Sequence, residues 1–195
     1  MGIFDALFGR STPKAANLDA LFAVPAAALT LQTTLRLTPT GAGAVCYRSA
    51  LGAGFADAQS DITALLSSGA DAPEVSTTED EYGFTWLTVQ RDGEGTHDVG
   101  GLVTHLHAVN TTLEAEGYGP ALLCSLIPFA DVAGRRVALV YLYKRGTFYP
   151  FAPALSGGQQ RDNVLEFQLR DALARELPLE PDLQRWLAVW GAPGL

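Results

Sequence analysis

The run Val137-Ala138-Leu139-Val140-Tyr141-Leu142-Tyr143 constrains the fold more than any other stretch, because every position in it is apolar or aromatic. Period two places Val137, Leu139, Tyr141 and Tyr143 on one face of an extended strand, with Ala138, Val140 and Leu142 on the other. Such a strand needs cover on both sides, so it belongs inside a sheet and not at its edge. It is also far shorter than the roughly 20 residues of a membrane span. Its tail, Lys144-Arg145-Gly146-Thr147-Phe148-Tyr149-Pro150-Phe151, turns basic and aromatic, with Gly146 set to turn and Pro150 to end the strand.

Around this strand the pattern of hairpin followed by helix occurs three times. The first hairpin is expected to pair 33–37 with 44–48 across Pro39-Thr40-Gly41, followed by a helix over 55–66 with Phe55, Ile62, Leu65 and Leu66 inward and Gly69 as its stop. The second pairs 74–79 with 84–91. Its helix carries Val99, Leu102, Leu106, Val109 and Leu113 within a narrow arc, with Asp98 suited to the positive end of its dipole and Gly117 closing it. The third pairs 121–127 with 137–144, ahead of a helix over 162–176 with Leu165, Leu169, Ala172 and Leu173 inward. Three ββα units predict an α+β fold: one antiparallel sheet of about six strands with helices packed on it. The apolar tail 179–195, with Trp186, Leu187, Val189 and Trp190, is expected to cover the second face of the sheet.

A chain of 195 residues suits one domain, here 17–195, preceded by a short amphipathic segment and linker over 1–16. In that segment Ile3, Phe4, Leu7 and Phe8 share a helical face, too short to stand alone in water and so expected to dock on a partner, on a membrane surface or on its own domain. A further helix is expected over 18–24, capped by Asn17 and ended by Pro25. With no basic, long-cored leader at the start, the expected location is cytoplasmic.

The net charge of −8 is uneven: residues 50–131 hold thirteen acids and one base, net −12, whereas the rest holds eight acids and twelve bases, net +4. This argues against general nucleic-acid binding and leaves room for a local basic patch. Cys46 and Cys124 lie in apolar surroundings, at a spacing that makes neither a disulfide framework nor a zinc site, and are read as buried free thiols.

No catalytic constellation assembles from the residues. Leu155-Ser156-Gly157-Gly158-Gln159-Gln160-Arg161 matches the signature peptide of ABC-type ATPases, yet the chain has no Gly-x-x-x-x-Gly-Lys-Ser/Thr loop to accompany it. His105 and His107 diverge on their helix, and His97 stands apart, so no metal set forms. The one nucleophilic alternative is Cys124 with His105 or His107, weakened by the apolar run around the thiol. No cofactor site is expected. The mixture of Lys144, Arg145, Phe148, Tyr149 and Phe151 has the composition of a partner-binding surface, and the same residues could equally clamp the loop over the core.

Several stretches together resemble the PspAB family, proteins associated with phage-shock protein A in actinobacteria and some archaea. They are Met1–Arg10, Asn17–Phe22, Tyr82–Leu87, Leu106–Asn110, Leu122–Leu126, Val140–Pro153 and Trp190–Leu195, spread over nearly the whole length. The resemblance implies an accessory role in the envelope-stress response, near phage-shock protein A, its companion PspAA and the membrane protease HtpX. It implies no catalytic residues. The expectation is therefore a non-enzymatic adaptor acting through Lys144, Arg145, Phe148, Tyr149 and Phe151, with Ile3, Phe4, Leu7 and Phe8 as a second docking element. The alternatives are a peripheral membrane protein at the inner face and an enzyme built on Cys124.

Overall fold

The computed structural model describes residues 17–49, 53–68, 72–91 and 98–195. A 3₁₀ turn over Leu18–Ala23 runs directly into α1, Val24–Leu35. Pro25 stands in the first turn of α1, where its missing amide hydrogen costs nothing, so it starts the helix and does not end one. Residues 33–35, expected in a strand, complete α1 because Val24, Ala27, Ala28 and Leu31 follow the helical period into the core. Arg36 then takes a left-handed conformation at φ 57° and the Leu37 amide donates to the Leu31 carbonyl, a turn that stops the helix.

The first expected hairpin is replaced by one interrupted strand. β1, Thr38–Pro39, and β2, Ala42–Arg48, are separated by a bend at Gly41, and both pair with the same neighbour, β5, Leu122–Ala130. Pro39-Thr40-Gly41 thus kinks a strand without reversing it. The Thr40 amide keeps contact by donating to the Pro128 carbonyl at 3.1 Å.

The remaining elements follow the expected order. They are α2, Ala53–Leu66; β3, Glu74–Glu79; β4, Phe84–Gln90; α3, Val99–Ala115; β6, Arg136–Leu142; β7, Thr147–Phe151; and α4, Asn163–Leu173. All pairings are antiparallel, and the sheet runs β3-β4-β2-β5-β6-β7 with β1 alongside β5. The α+β fold with a single antiparallel sheet is as the repeating pattern predicts. Two details differ: Leu65 of α2 points outward, and the stretch after Gly146 is a seventh strand.

One face of the sheet carries all four helices. Val45, Tyr47, Leu87, Val89, Ile127, Phe129, Leu139 and Tyr141 meet Leu21, Leu31, Phe55, Ile62, Leu102, Leu106, Leu165 and Leu169 in one continuous core. Helix α3 crosses β2 so closely that a methyl group at Gly43 would stand 2.9 Å from a Leu106 methyl and 3.1 Å from one of Leu102. A side chain there would make both leucines shift. The opposite face, formed by Ala44, Cys46, Trp86, Cys124, Leu126, Ala138, Val140, Tyr149 and Phe151, is covered by Trp186 and Ala192 with Val189, Trp190 and Leu195 at its margin. The C-terminal strap therefore supplies the second cover that β6 demands.

Hydrogen bonds fasten the strap: the Tyr149 hydroxyl donates to the Leu187 carbonyl at 2.9 Å, Arg161 to the Trp186 carbonyl, Arg136 to the Gly194 carbonyl at 3.1 Å, and the Trp186 indole to the Glu180 carbonyl at 3.0 Å. Rings add to them, with Trp186 stacked on Tyr149 and Trp190 edge-on to Phe151.

Val140 is fully buried under this strap. Val140→Asp is expected to destabilise the domain by several kcal/mol or prevent folding, because the new carboxylate has no partner. Thermal melting reads this, and a normally melting soluble variant would refute burial on both faces. Deleting 183–195 is expected to expose the Tyr149 face, with increased binding of a hydrophobic dye and a lowered melting temperature, while the far-ultraviolet signal of the helical layer persists.

Candidate interaction surface

The sequence places partner binding on Lys144, Arg145, Phe148, Tyr149 and Phe151. The structure divides this group. Lys144 and Arg145 form the exposed β6–β7 turn, whereas Phe148, Tyr149 and Phe151 are at most 1% exposed within β7. Period two again explains it: Phe148 packs into the helix-side core, and Tyr149 and Phe151 under the strap. A basic aromatic sequence read as a surface is a buried strand with a basic turn.

Gly146 makes the turn at φ 68°, with its amide and that of Arg145 both donating to the Leu142 carbonyl. The turn rests on the start of the described chain. An added Cβ at Gly146 would lie 3.1 Å from that of Asn17, and the Tyr141 hydroxyl donates to the Asn17 carbonyl at 2.8 Å. The basic turn and the point where residues 1–16 join the domain are thus neighbours. Ile3, Phe4, Leu7 and Phe8 lie outside the described residues.

Beneath the turn is a residue that sequence reading missed. Glu180 has a fully buried side chain and accepts from Thr147 at 2.7 Å, from Arg145 at 3.3 Å and from the Asp182 amide at 3.2 Å, with Arg185 at 3.8 Å. A charge in so apolar a tail was the available signal. Burial alone would raise its pKa, but the bonds from Thr147, the Asp182 amide and Arg145 outweigh that and hold the carboxyl below the ordinary glutamate range. Arg145 is consequently committed to the fold through its guanidinium, although its side chain stays 46% exposed. Lys144 forms no ion pair among the described residues.

The outer edge of β7 is closed as well. The outward amide of Phe148 donates to the Pro178 carbonyl, Pro150 has no amide hydrogen, and the Ala152 amide donates to Glu166 at 2.9 Å. Pro150 therefore sits within an edge strand and does not end it. Glu166 is itself buried and gripped by Arg161 at 2.9 Å, whose guanidinium also lies over Phe151. This accounts for the arginine that ends the Leu155–Arg161 motif. The glycines of that loop stand at φ 78° and 73° in an exposed excursion, and the helix behind it is capped by the Asp162 carboxylate, which leaves no phosphate cradle.

The alternative of Cys124 acting with His105 or His107 is not formed. Cys124 faces the strap, while both histidines belong to α3 on the other side of the sheet. His107 packs on Phe22 and reaches Asp19 at 3.5 Å; His105 is held below the ordinary histidine range by burial first and by Arg91 second. His97 lies outside the described residues. Among the described residues no cluster of three or more His, Cys, Asp or Glu side chains converges on a metal position.

One apolar helical run was not recognised in the sequence. Leu18–Leu35 has a mean hydropathy of 1.4 over 18 residues, long and apolar enough by composition to cross a membrane. Its Leu21, Val24, Ala27 and Leu31 are fully buried against the domain, while Phe22 and Leu29 are exposed.

Because the folded carboxyl of Glu180 loses its proton more readily than an unfolded one, it contributes stability above the ordinary glutamate pKa of about 4.3, which fades as pH falls through the lower folded value. Glu180→Gln is expected to lower the melting temperature at pH 7 and to make the loss of stability below about pH 4.5 shallower. The slope should not vanish, since Asp80 and Asp131 are also held low. Parallel melts of both proteins over that range decide it.

Comparison with curated proteins and with solved structures finds no significant match. The family model for PspA associated protein B matches residues 1–194. With this match spanning nearly its full length, the chain belongs to the PspAB family, the PspA associated proteins B.

Proposed function

We propose that the protein is a non-enzymatic adaptor of the phage-shock response that contacts phage-shock protein A through the end of the domain formed by the β6–β7 turn and the start of the chain. Membership of a PspA-associated family supports the partner. The observation that carries the surface is the exposed Lys144–Arg145 turn resting on Asn17, where residues 1–16 join the domain. The central strands of the sheet are covered on both faces by the chain itself, and this corner presents a cationic head beside Asn17, to which the sequence carrying Ile3, Phe4, Leu7 and Phe8 is joined. PspAA and HtpX belong to the same proposal as further neighbours, and the cytoplasm, at the inner membrane face, as its location.

Lys144→Glu is expected to reduce capture of phage-shock protein A with little change in melting temperature, because Lys144 is exposed and outside the Glu180 cluster. Tyr149→Ala should behave in the opposite way, losing about 3–5 kcal/mol of stability as a buried ring is removed. Wild-type capture by Lys144→Glu, combined with wild-type capture after deletion of residues 1–10, would remove this corner as the contact.

A second reading is favoured by the exposed Phe22 and Leu29 on the outer side of the first helical run: shallow contact with a membrane surface. Flotation with anionic liposomes tests it. Lipid binding that survives both the deletion of residues 1–10 and Phe22→Ser with Leu29→Ser would refute it.

A further inference from the structure

Cys46 and Cys124 are the only cysteines of the chain, and the sheet sets them directly opposite each other, Cys46 on β2 against Cys124 on β5. Both side chains point to the strap-covered face, in a row flanked by Trp86 on β4 and Leu142 on β6. Directly opposed residues of an antiparallel pair have Cα atoms about 4.5 or 5.5 Å apart, and both spacings fall within the roughly 4.4–6.8 Å that a disulfide spans. The register slips between Cys46 and Tyr47, so the pairing of the two cysteines lies beside an irregularity where the ladder can adjust. The neighbouring Cys124 side chain, ahead of burial, pushes the Cys46 thiol up.

We propose that Cys46 and Cys124 form a redox pair that closes into a cross-strand disulfide beneath the C-terminal strap when the protein meets a peroxide. Cys124 is the more accessible, at 8% exposure against 3%, and is the first to react. Its thiolate attacks one peroxide oxygen, the O–O bond breaks, and the departing oxygen takes a proton to leave as alcohol or water. The resulting sulfenic acid is attacked by the Cys46 sulfur. The S–S bond forms as the S–O bond breaks, and hydroxide leaves with the Cys46 proton as a second water. Two thiols are oxidised by two electrons and one peroxide is reduced.

The position fits a sensor better than a permanent crosslink. Both cysteines lie on the sheet face they share with Trp186 and Ala192, which is overlaid by irregular chain and not by a helix, the kind of cover that opens locally more readily than a packed helix. The disulfide would tie β2 to β5 at the middle of the sheet and close a long loop, which restricts the unfolded chain. Oxidation is therefore expected to raise the melting temperature.

The test uses the full-length protein treated with hydrogen peroxide, quenched in acid, alkylated after unfolding and digested for mass spectrometry. The expected result is loss of both alkylatable thiols, a linked peptide joining Cys46 to Cys124 within one chain, and a raised melting temperature, all reversed by dithiothreitol. Cys46→Ser should lose the linkage and accumulate a dimedone-reactive sulfenic acid at Cys124. Two free thiols after a treatment that oxidises the unfolded chain would overturn the proposal. Conversion of Cys124 to sulfinic or sulfonic acid without the linked peptide, or disulfides only between chains, would overturn it equally. These readouts do not involve phage-shock protein A, so they stand apart from the adaptor reading.

Discussion

The two-sided burial of β6 is the constraint on which the rest depends. An antiparallel sheet with one wet face needs a single layer of helices, but Ala138 and Val140 are as fully buried as Val137, Leu139 and Tyr141. The second layer is made without a helix of useful length, from the strap that ends the chain. Irregular chain can cover an apolar face only if its own backbone groups find partners. That requirement explains the donors gathered there: the Tyr149 hydroxyl for Leu187, Arg161 for Trp186 and the indole of Trp186 for Glu180. Buried acids are the consequence, since Arg161 and Arg145 need Glu166 and Glu180 to be held in place.

This arrangement also shows what a sequence conveys. Where one period dominated, the reading was right: Val99 to Leu113 is α3, 74–79 pairs with 84–90, and the apolar strand lies inside the sheet. Tail cover followed from the same logic, because a strand apolar on both faces implies a second layer. The errors occurred where two periods competed. Thr33, Thr34, Leu35, Arg36 and Leu37 alternate like a strand, but they continue a helix already anchored by Val24, Ala27, Ala28 and Leu31, and the start of that helix was obscured by treating Pro25 as a stop.

The candidate site was less legible for a different reason. Lys144 to Phe151 has the composition of an interface, and composition does not distinguish an interface from an edge strand whose rings turn alternately into two cores. Burial of Phe148, Tyr149 and Phe151 depends on the strap and on α4, which arrive later in the sequence. The pairings of Glu180 and Glu166 were not legible because their partners, Arg145, Thr147, Arg161 and the Ala152 amide, are joined to them only by the fold. The proximity of the basic turn to Asn17 is likewise a tertiary fact.

Edge chemistry narrows how such a domain can meet another protein. Along β7 the outward positions are spent: Phe148 on Pro178, Pro150 without a hydrogen, Ala152 on Glu166. At the opposite edge β3 is mostly exposed, but Glu74 and Glu79 flank it and Asp80 and Glu81 follow, so a second copy brought alongside would set like charges against each other. Strand addition is thus closed by pairing at one edge and opposed by charge at the other. With the central strands covered on both faces as well, the open surfaces among the described residues include the outer sides of the helices, the faces of β3 and the ends of the sheet. The β6–β7 turn is such an end, and it presents Lys144 outside any ion pair among the described residues, which is the kind of exposed positive charge that orients an acidic partner without being needed to hold the fold.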